Sequence, residues 1–365
     1  LSKAPDREVV IALDAMGGDK APRSVIKGAK LSVAKNPNVR FLIYGDYERL
    51  DKLIGSSRKL RDKVEIIHTD KKVSPNDKPS QILRTGQQTS MRLAINAVAE
   101  KRAECIVSAG NTGALMAMSK LVLKTIPGVN RPAIATMFPT LTGSCVLLDV
   151  GANVDCNSDN LFQFAVMGES FARSVMDIER PRVGIINIGL EEIKGNDSVR
   201  NAANMLRSSG LPINFIGFVE GADISAGKVD VAVTDGFTGN VALKTAEGLA
   251  RMILEGLRAG IKRSILGKIG FALMLPVFNN LKKKIDPRKH GGALLLGLNG
   301  VVIKAHGNAD AIAISNAIKV AYQMAVNGTN QKVMEGFRLA PDLTSEENMV
   351  PAEIDVYQPP SQAVH

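Results

Sequence analysis

Residues Lys228–Glu247 read KVDVAVTDGFTGNVALKTAE. Val229–Val233 runs apolar with branched side chains and predicts a buried strand. Asp235-Gly236-Phe237-Thr238-Gly239-Asn240 predicts a sharp turn. Beyond it, Ala246, Leu249, Ala250, Ile253, Leu254 and Leu257 recur at helical spacing, with Lys244, Glu247, Arg251 and Glu255 on the other side. The stretch reads as strand, glycine-bearing loop and helix. Such a loop gathers backbone N–H groups at a positive helix end, which suits an anion. A turn that needs glycine only for its shape fits the same residues, because βα units are common.

The same design recurs along the chain. The predicted strand Glu8–Asp14 leads into Gly17-Gly18-Asp19, and Cys105–Ser108 into Gly110-Asn111-Thr112-Gly113. Ser144–Val150 leads into Gly151-Ala152-Asn153, and Arg182–Ile188 into a loop ending Lys194-Gly195-Asn196. Gly300–Ala305 leads into His306-Gly307-Asn308. Helices are predicted over 80–100, 160–176 and 199–208. The units have no fixed period, which excludes a solenoid. The pattern predicts an α/β fold with a wound, mostly parallel sheet, its functional loops at the carboxyl ends of strands. No Pro/Ser-rich linker divides residues 8–340, which are expected to form one catalytic domain. The proline-bearing tail 341–365 is expected to be extended or disordered.

Composition narrows the function. The formal charge of +10 favours an acidic partner. Aromatic residues are only 4% and Trp is absent, which argues against a base-stacking nucleic-acid binder. Cys105, Cys145 and Cys156 have no metal-ligand spacing and the four histidines are dispersed, so neither a metal nor a cofactor is expected. Scattered thiols and the lack of a signal-peptide pattern at Leu1–Arg7 predict a cytoplasmic protein. A dinucleotide fingerprint is missing. Gly221–Lys228 only approximates a Walker A loop, since a strand follows where that motif needs a helix.

Much of the charge sits in one place. Between Gly260 and His290 there are eight Lys or Arg and one acid, Asp286. Inside this stretch, Ile269–Phe278 carries no charge and is too short to span a bilayer. An apolar hairpin tip between cationic shoulders fits shallow insertion into an anionic leaflet. A dimer contact with a basic rim fits it as well.

Six blocks, in order from about Val9 to Val326, resemble the bacterial phosphate acyltransferases of the PlsX type. They are DAMGGD (Asp14–Asp19), VSAGNTGALMA (Val107–Ala117), LLDVGANVDC (Leu147–Cys156), KGN (Lys194–Asn196), KVDVAVTDGFTGNVALKT (Lys228–Thr245) and IKAHGNAD (Ile303–Asp310). The resemblance implies transfer of a long-chain acyl group from acyl carrier protein to inorganic phosphate. The acyl phosphate would feed a membrane glycerol-3-phosphate acyltransferase in phospholipid synthesis. It also implies a homodimer whose α/β/α sandwich is similar to isocitrate and isopropylmalate dehydrogenases and to phosphotransacetylase. With the basic stretch, it implies a cytoplasmic enzyme held peripherally at the inner face of the membrane. Three places depart from the family pattern. RxKxxSSM is replaced by Arg84-Thr85-Gly86-Gln87-Gln88-Thr89-Ser90-Met91, Phe218 stands for Asn, and Ala222 for Arg.

Phosphate attacking a thioester needs no protein nucleophile. What remains is positioning and oxyanion stabilisation. The amides of Gly110–Gly113 and Gly236–Asn240 are expected to cradle phosphate, with Asn111, Thr112, Gly113, Gly236 and Gly239 as ligands. Lys194 is expected to neutralise charge, Asn240 to donate to the thioester oxygen, and Asp235 to orient one of them. Gly17, Gly18, Asn153, Gly195, Asn196 and His306 are expected around the substrate, His306 as a loop residue and not a base. Asp14 and Asp149 are read either as substrate ligands or as closers of Asx turns. Two other enzyme readings fit less well: a short-chain phosphotransacetylase using coenzyme A, and a hydroxyacid dehydrogenase.

Overall fold

A computed structural model describes residues 7–55, 57–263, 269–278 and 292–339. The tail 341–365 and residues 279–291 of the basic stretch lie outside the described residues, as does Lys268. In chain order, the first half comprises β1 (Val9–Asp14), α1 (Arg23–Lys35), β2 (Val39–Gly45), α2 (Tyr47–Ile54), α3 (Arg58–Arg61) and β3 (Val64–His68). It continues with α4 (Pro79–Thr85), α5 (Ser90–Ala99), β4 (Cys105–Ser108), α6 (Thr112–Leu123), β5 (Ala133–Pro139) and β6 (Ser144–Leu148). Next come α7 (Ser158–Val175), β7 (Arg182–Ile186), α8 (Asp197–Ser208), β8 (Asn214–Val219), α9 (Gly221–Ala226), β9 (Val231–Val233) and α10 (Gly236–Arg263). A helical segment 269–278, here α11, precedes β10 (Ala293–Leu296), β11 (Val301–Lys304), α12 (Ala311–Val326) and α13 (Thr329–Leu339).

The strands form one sheet in the order β3-β2-β1-β4-β11-β10-β5-β6-β9-β7-β8. Most neighbours are parallel, and direction reverses at β11/β10, β10/β5 and β5/β6. The expected α/β fold with a mostly parallel sheet is therefore present. The late strand β11 enters beside β4, so the ends of β1, β4 and β11 lie together. Period-2 alternation splits the apolar residues between two faces. Ile11, Leu13, Val107 and Ile303 pack against α1, α7 and α12, whereas Ala12, Ile106 and Val302 pack against α5 and α6.

Two sequence expectations are corrected here, and two strands are added. The single helix over 80–100 is two helices, because Gly86 ends α4 and Thr89 caps α5 by accepting from Arg92 N. A Cβ at Gly86 would meet Ile82 O at 2.6 Å and Met118 Cε at 2.7 Å, so this packing has no room for the family's lysine. Gly236–Asn240 is not a loop but the first turn of α10. Finally, β5 and β10 were missed altogether.

The helix α7 is buried over most of its length, with Phe162, Phe164 and Phe171 fully enclosed. Replacing Phe164 with Ala is expected to cost about 3–5 kcal/mol through the cavity it leaves. The shift of the urea midpoint measures this, and an unchanged midpoint contradicts the packing.

Candidate active site

The first cluster lies where β1, β4 and β11 end. Asp14 is buried and accepts from Ser90 Oγ and Ser108 Oγ, each at 2.6 Å, and from Met16 N at 3.3 Å. Burial raises its pKa, and the Ser108 and Ser90 hydrogen bonds oppose that. Gly17 packs so closely that a Cβ would meet Asp14 Oδ2 at 2.4 Å and Gly110 N at 2.8 Å. Gly18, at φ +100°, lies against Ala109 and Gly307. Asp19 N then donates to Gly307 O at 2.8 Å. Gly17, Gly18, Gly110 and the His306–Gly307 turn are thus brought together. Asn111 caps α6 by accepting from Ala114 N and ties the helix to the loop between β3 and α4 by donating to Pro75 O. The first-turn amides at Thr112 and Gly113 have no intrahelical partner.

The second cluster lies where β6 and β9 end. Asp149 is fully buried, and its carboxylate accepts from the amides of Ile134, Gly151, Ala152 and Asn153 and from Asn153 Nδ2. Burial raises its pKa against those hydrogen bonds. Gly236 N donates to Asn153 O at 2.7 Å, and Gly239 N to Asp235 O at 3.0 Å. Asp235 takes Thr238 N and Thr238 Oγ1 on its two oxygens. The amides of Gly236, Thr238 and Gly239 are already committed within the protein, so they offer no donor to a phosphate. Asp235 caps its own helix through Thr238, and among the described residues no hydrogen bond joins its side chain to Asn240 or Lys194. Asp14 and Asp149 both serve as turn closers.

The third group follows β7, which runs parallel to β9, so it leaves the sheet at the same edge as the second cluster. Lys194 O accepts from Asn187 Nδ2, Asn196 caps α8 through Val199 N, and Gly195 sits at φ +90° against Asn187. Lys194 is exposed, and among the described residues no hydrogen bond or ion pair joins it to either cluster.

What links the first two clusters is α10. It starts against Asp149 and Asn153, with Asn240 beside Gly151. Four residues on, about 6 Å along the axis, Lys244 lines a cleft of about 780 Å³ that also meets Asp19, Lys20 and His306. Strand reversal sends β4 and β9 out of opposite sheet margins, but a twist of roughly 20–25° per strand turns them progressively over five steps. The lining is mixed: Asp19, Lys20, Lys244, Glu247, Arg251, Glu255, Arg258, His306, Asn308 and Asp310 are charged or polar. Met137, Phe138, Leu243, Ala246, Ala250 and Leu254 are among its apolar members. Desolvation lowers the His306 pKa, although Glu247 opposes it, so the imidazole is neutral at pH 7. Asn111, Lys194 and Asn240 do not line this cleft. Its lysines and its apolar members were missed as site residues, although Lys244, Ala246, Ala250 and Leu254 already stood in the helical pattern of Lys228–Glu247 and beyond.

A family model described as "Fatty acid synthesis protein" matches residues 9–332. Proteins called phosphate acyltransferase match nearly end to end. That of Paramagnetospirillum magneticum is 50% identical over 91% of this chain and 95% of its own. That of Rhodospirillum centenum is 53% identical over 89% and 92%. The chain belongs to the phosphate acyltransferase family. It is accordingly an acyltransferase, and phosphate is a substrate that the family name implies. Among solved structures, a phosphotransacetylase from Streptococcus pyogenes aligns with TM-score 0.60 at 17% identity, over 87% of this chain and 94% of that one. A 4-hydroxythreonine-4-phosphate dehydrogenase from Klebsiella pneumoniae aligns with TM-score 0.50 at 14% identity, over 89% and 99%. Both share the fold. Of the departures from the family pattern, Phe218 is buried under the Arg207 guanidinium and Ala222 is on the surface of α9, and neither lines the cleft.

Asp149→Ala is expected to destabilise the protein by about 3 kcal/mol or more, because several buried amides lose their acceptor at once. Thermal or urea unfolding measures it. A loss below about 1 kcal/mol contradicts the clamp described here.

Proposed function

We propose that this cleft carries a long-chain acyl group from the thioester of acyl carrier protein to inorganic phosphate, giving acyl phosphate for phospholipid synthesis. The observation that supports it is the mixed lining. The cations Lys20, Lys244, Arg251 and Arg258 suit a phosphate dianion, and the apolar Leu243, Ala246, Ala250 and Leu254 on α10 suit a long acyl chain. A phosphate oxygen attacks the thioester carbonyl, the C–S bond breaks, and the thiolate leaves and takes up a proton. Lys20 and Lys244 hold the phosphate. The neutral His306 donates an N–H to the developing oxyanion, where a preorganised donor is worth most. Asn240, one turn before Lys244 on α10 and beside Gly151, is the residue assigned to steady the thioester. Lys194 does not line the cleft and is given no role there.

Exposed apolar residues on α10 support a second copy as partner. Leu249, Met252, Ile253 and Leu257 are exposed and do not line the cleft. In α11, Leu273 and Leu275 are also exposed, which fits an anionic membrane surface beside the basic residues of this stretch. Among the described residues no helix is long and apolar enough to cross a membrane. The basic surface also suits docking of an acidic carrier protein, by steering that salt weakens. Membrane release would hand the acyl phosphate to a membrane glycerol-3-phosphate acyltransferase.

The test is to incubate the protein with phosphate and palmitoyl carrier protein and to quantify acyl phosphate. Lys244→Ala is expected to lower turnover on the order of 100-fold, and Lys194→Ala less than about threefold. The reverse order overturns the assignment. Ala250→Phe is expected to depress activity on palmitoyl far more than on short acyl groups, and an equal loss on both removes the apolar residues of α10 from the account. Vesicle binding that survives Leu273→Glu with Leu275→Glu removes the membrane contact.

A further inference from the structure

Asp14, Ser108 and Lys304 stand side by side in register on β1, β4 and β11. Alternation puts all three on the sheet face turned to α5 and α6. All are buried, Lys304 at 8% exposure. The carboxylate of Asp14 is taken by Ser90, Ser108 and Met16 N, and it forms no ion pair with Lys304. The Lys304 ammonium donates to the carbonyl of its own neighbour, Ala305. An ammonium has three donors. A buried cation without a salt bridge costs stability, and proteins keep such groups mainly where the charge is used.

The surroundings say what uses it. Lys304 immediately precedes Ala305 and His306, which line the cleft. Gly307 O is held by Asp19 N, so the turn after Lys304 and the turn after Asp14, both of which line the cleft, are joined. The groups facing Lys304 electrostatically are Asp14 and Asp19 from β1 and its turn, and His306. On α10, Lys244 and Glu247 act on His306 in turn. From α5, Ser90 reaches the cluster, while Arg92 turns away to Asn96.

We infer that Lys304 is a positioning residue for phosphate: a buried positive charge behind the cleft lining that holds the dianion beside His306 without touching the reacting atoms. This rests on the acyl-phosphate reading above for its substrate. Desolvation lowers the lysine's pKa to about 8, with Asp14 and Asp19 opposing. The sign is then fixed. Below that pH the ammonium is charged and phosphate is held; above it the charge is lost and affinity falls. An ordinary lysine titrates about two units higher.

The experiment is calorimetric titration of the full chain with inorganic phosphate alone, from about pH 7 to about pH 9.5, for the wild type, Lys304→Arg and Lys304→Met. Wild-type affinity is expected to fall at least about tenfold across the range, with its midpoint near 8. Lys304→Arg keeps its charge and is expected to show a flat profile. Lys304→Met is expected to bind at least about tenfold more weakly at the lower pH, while its melting temperature rises or holds, because a buried charge has gone. In the acyl-phosphate assay the loss falls on the KM for phosphate and not on kcat. A wild-type affinity that is constant with pH overturns the inference, as does Lys304→Met binding phosphate like the wild type. If binding depends on Lys304 but no acyl phosphate forms, the inference stands and the acyl-transfer reading alone fails.

Discussion

The grip of Asp149 on the backbone around it determines where α10 begins. Its carboxylate gathers amides from β5 and from the turn after β6. Gly239 lies so close to it that a Cβ there would fall 1.9 Å from Asp149 O. Only glycine permits that approach, so helix and turn are locked together. The rest follows from helix geometry. A helix of 28 residues starting there must run out across the end of the sheet, and its second and later turns become one wall of the cleft.

The fold was largely legible. Alternating strand, glycine and amphipathic helix announce a wound sheet, and motifs at Asp14, Asn111, Asp149 and His306 do mark strand ends. What misled was local. Gly236 and Gly239 were read as a loop that offers amides, because glycine pairs usually mean that. Here they are a helix start whose amides are used internally. The strands β5 and β10 are short apolar runs, AIATMFP and ALLL, which periodicity alone does not separate from buried helix. Direction reversal around them is also invisible without the pairing.

The site was legible in part. His306 was expected near the substrate and lines the cleft, but the cations beside it were not chosen. Lys194 stands out because it lies in a Gly-Asn loop, yet it is exposed and does not line the cleft. Lys304 drew none, because a lysine ending a strand normally points to solvent. The register with Asp14 and Ser108, which buries it, arises only when β11 inserts beside β4. Asp14, Ser108 and Lys304 come from segments far apart in the chain, so no spacing rule connects them.

A palmitoyl carrier protein bearing a photoreactive diazirine midway along its chain tests directly where the acyl group lies. After irradiation with the full-length protein, peptide mapping reads the attachment. The account predicts labels on Leu243–Leu254 of α10 and on Met137 or Phe138. Labels confined to the Lys194 loop or to Phe237, with none on those residues, contradict it.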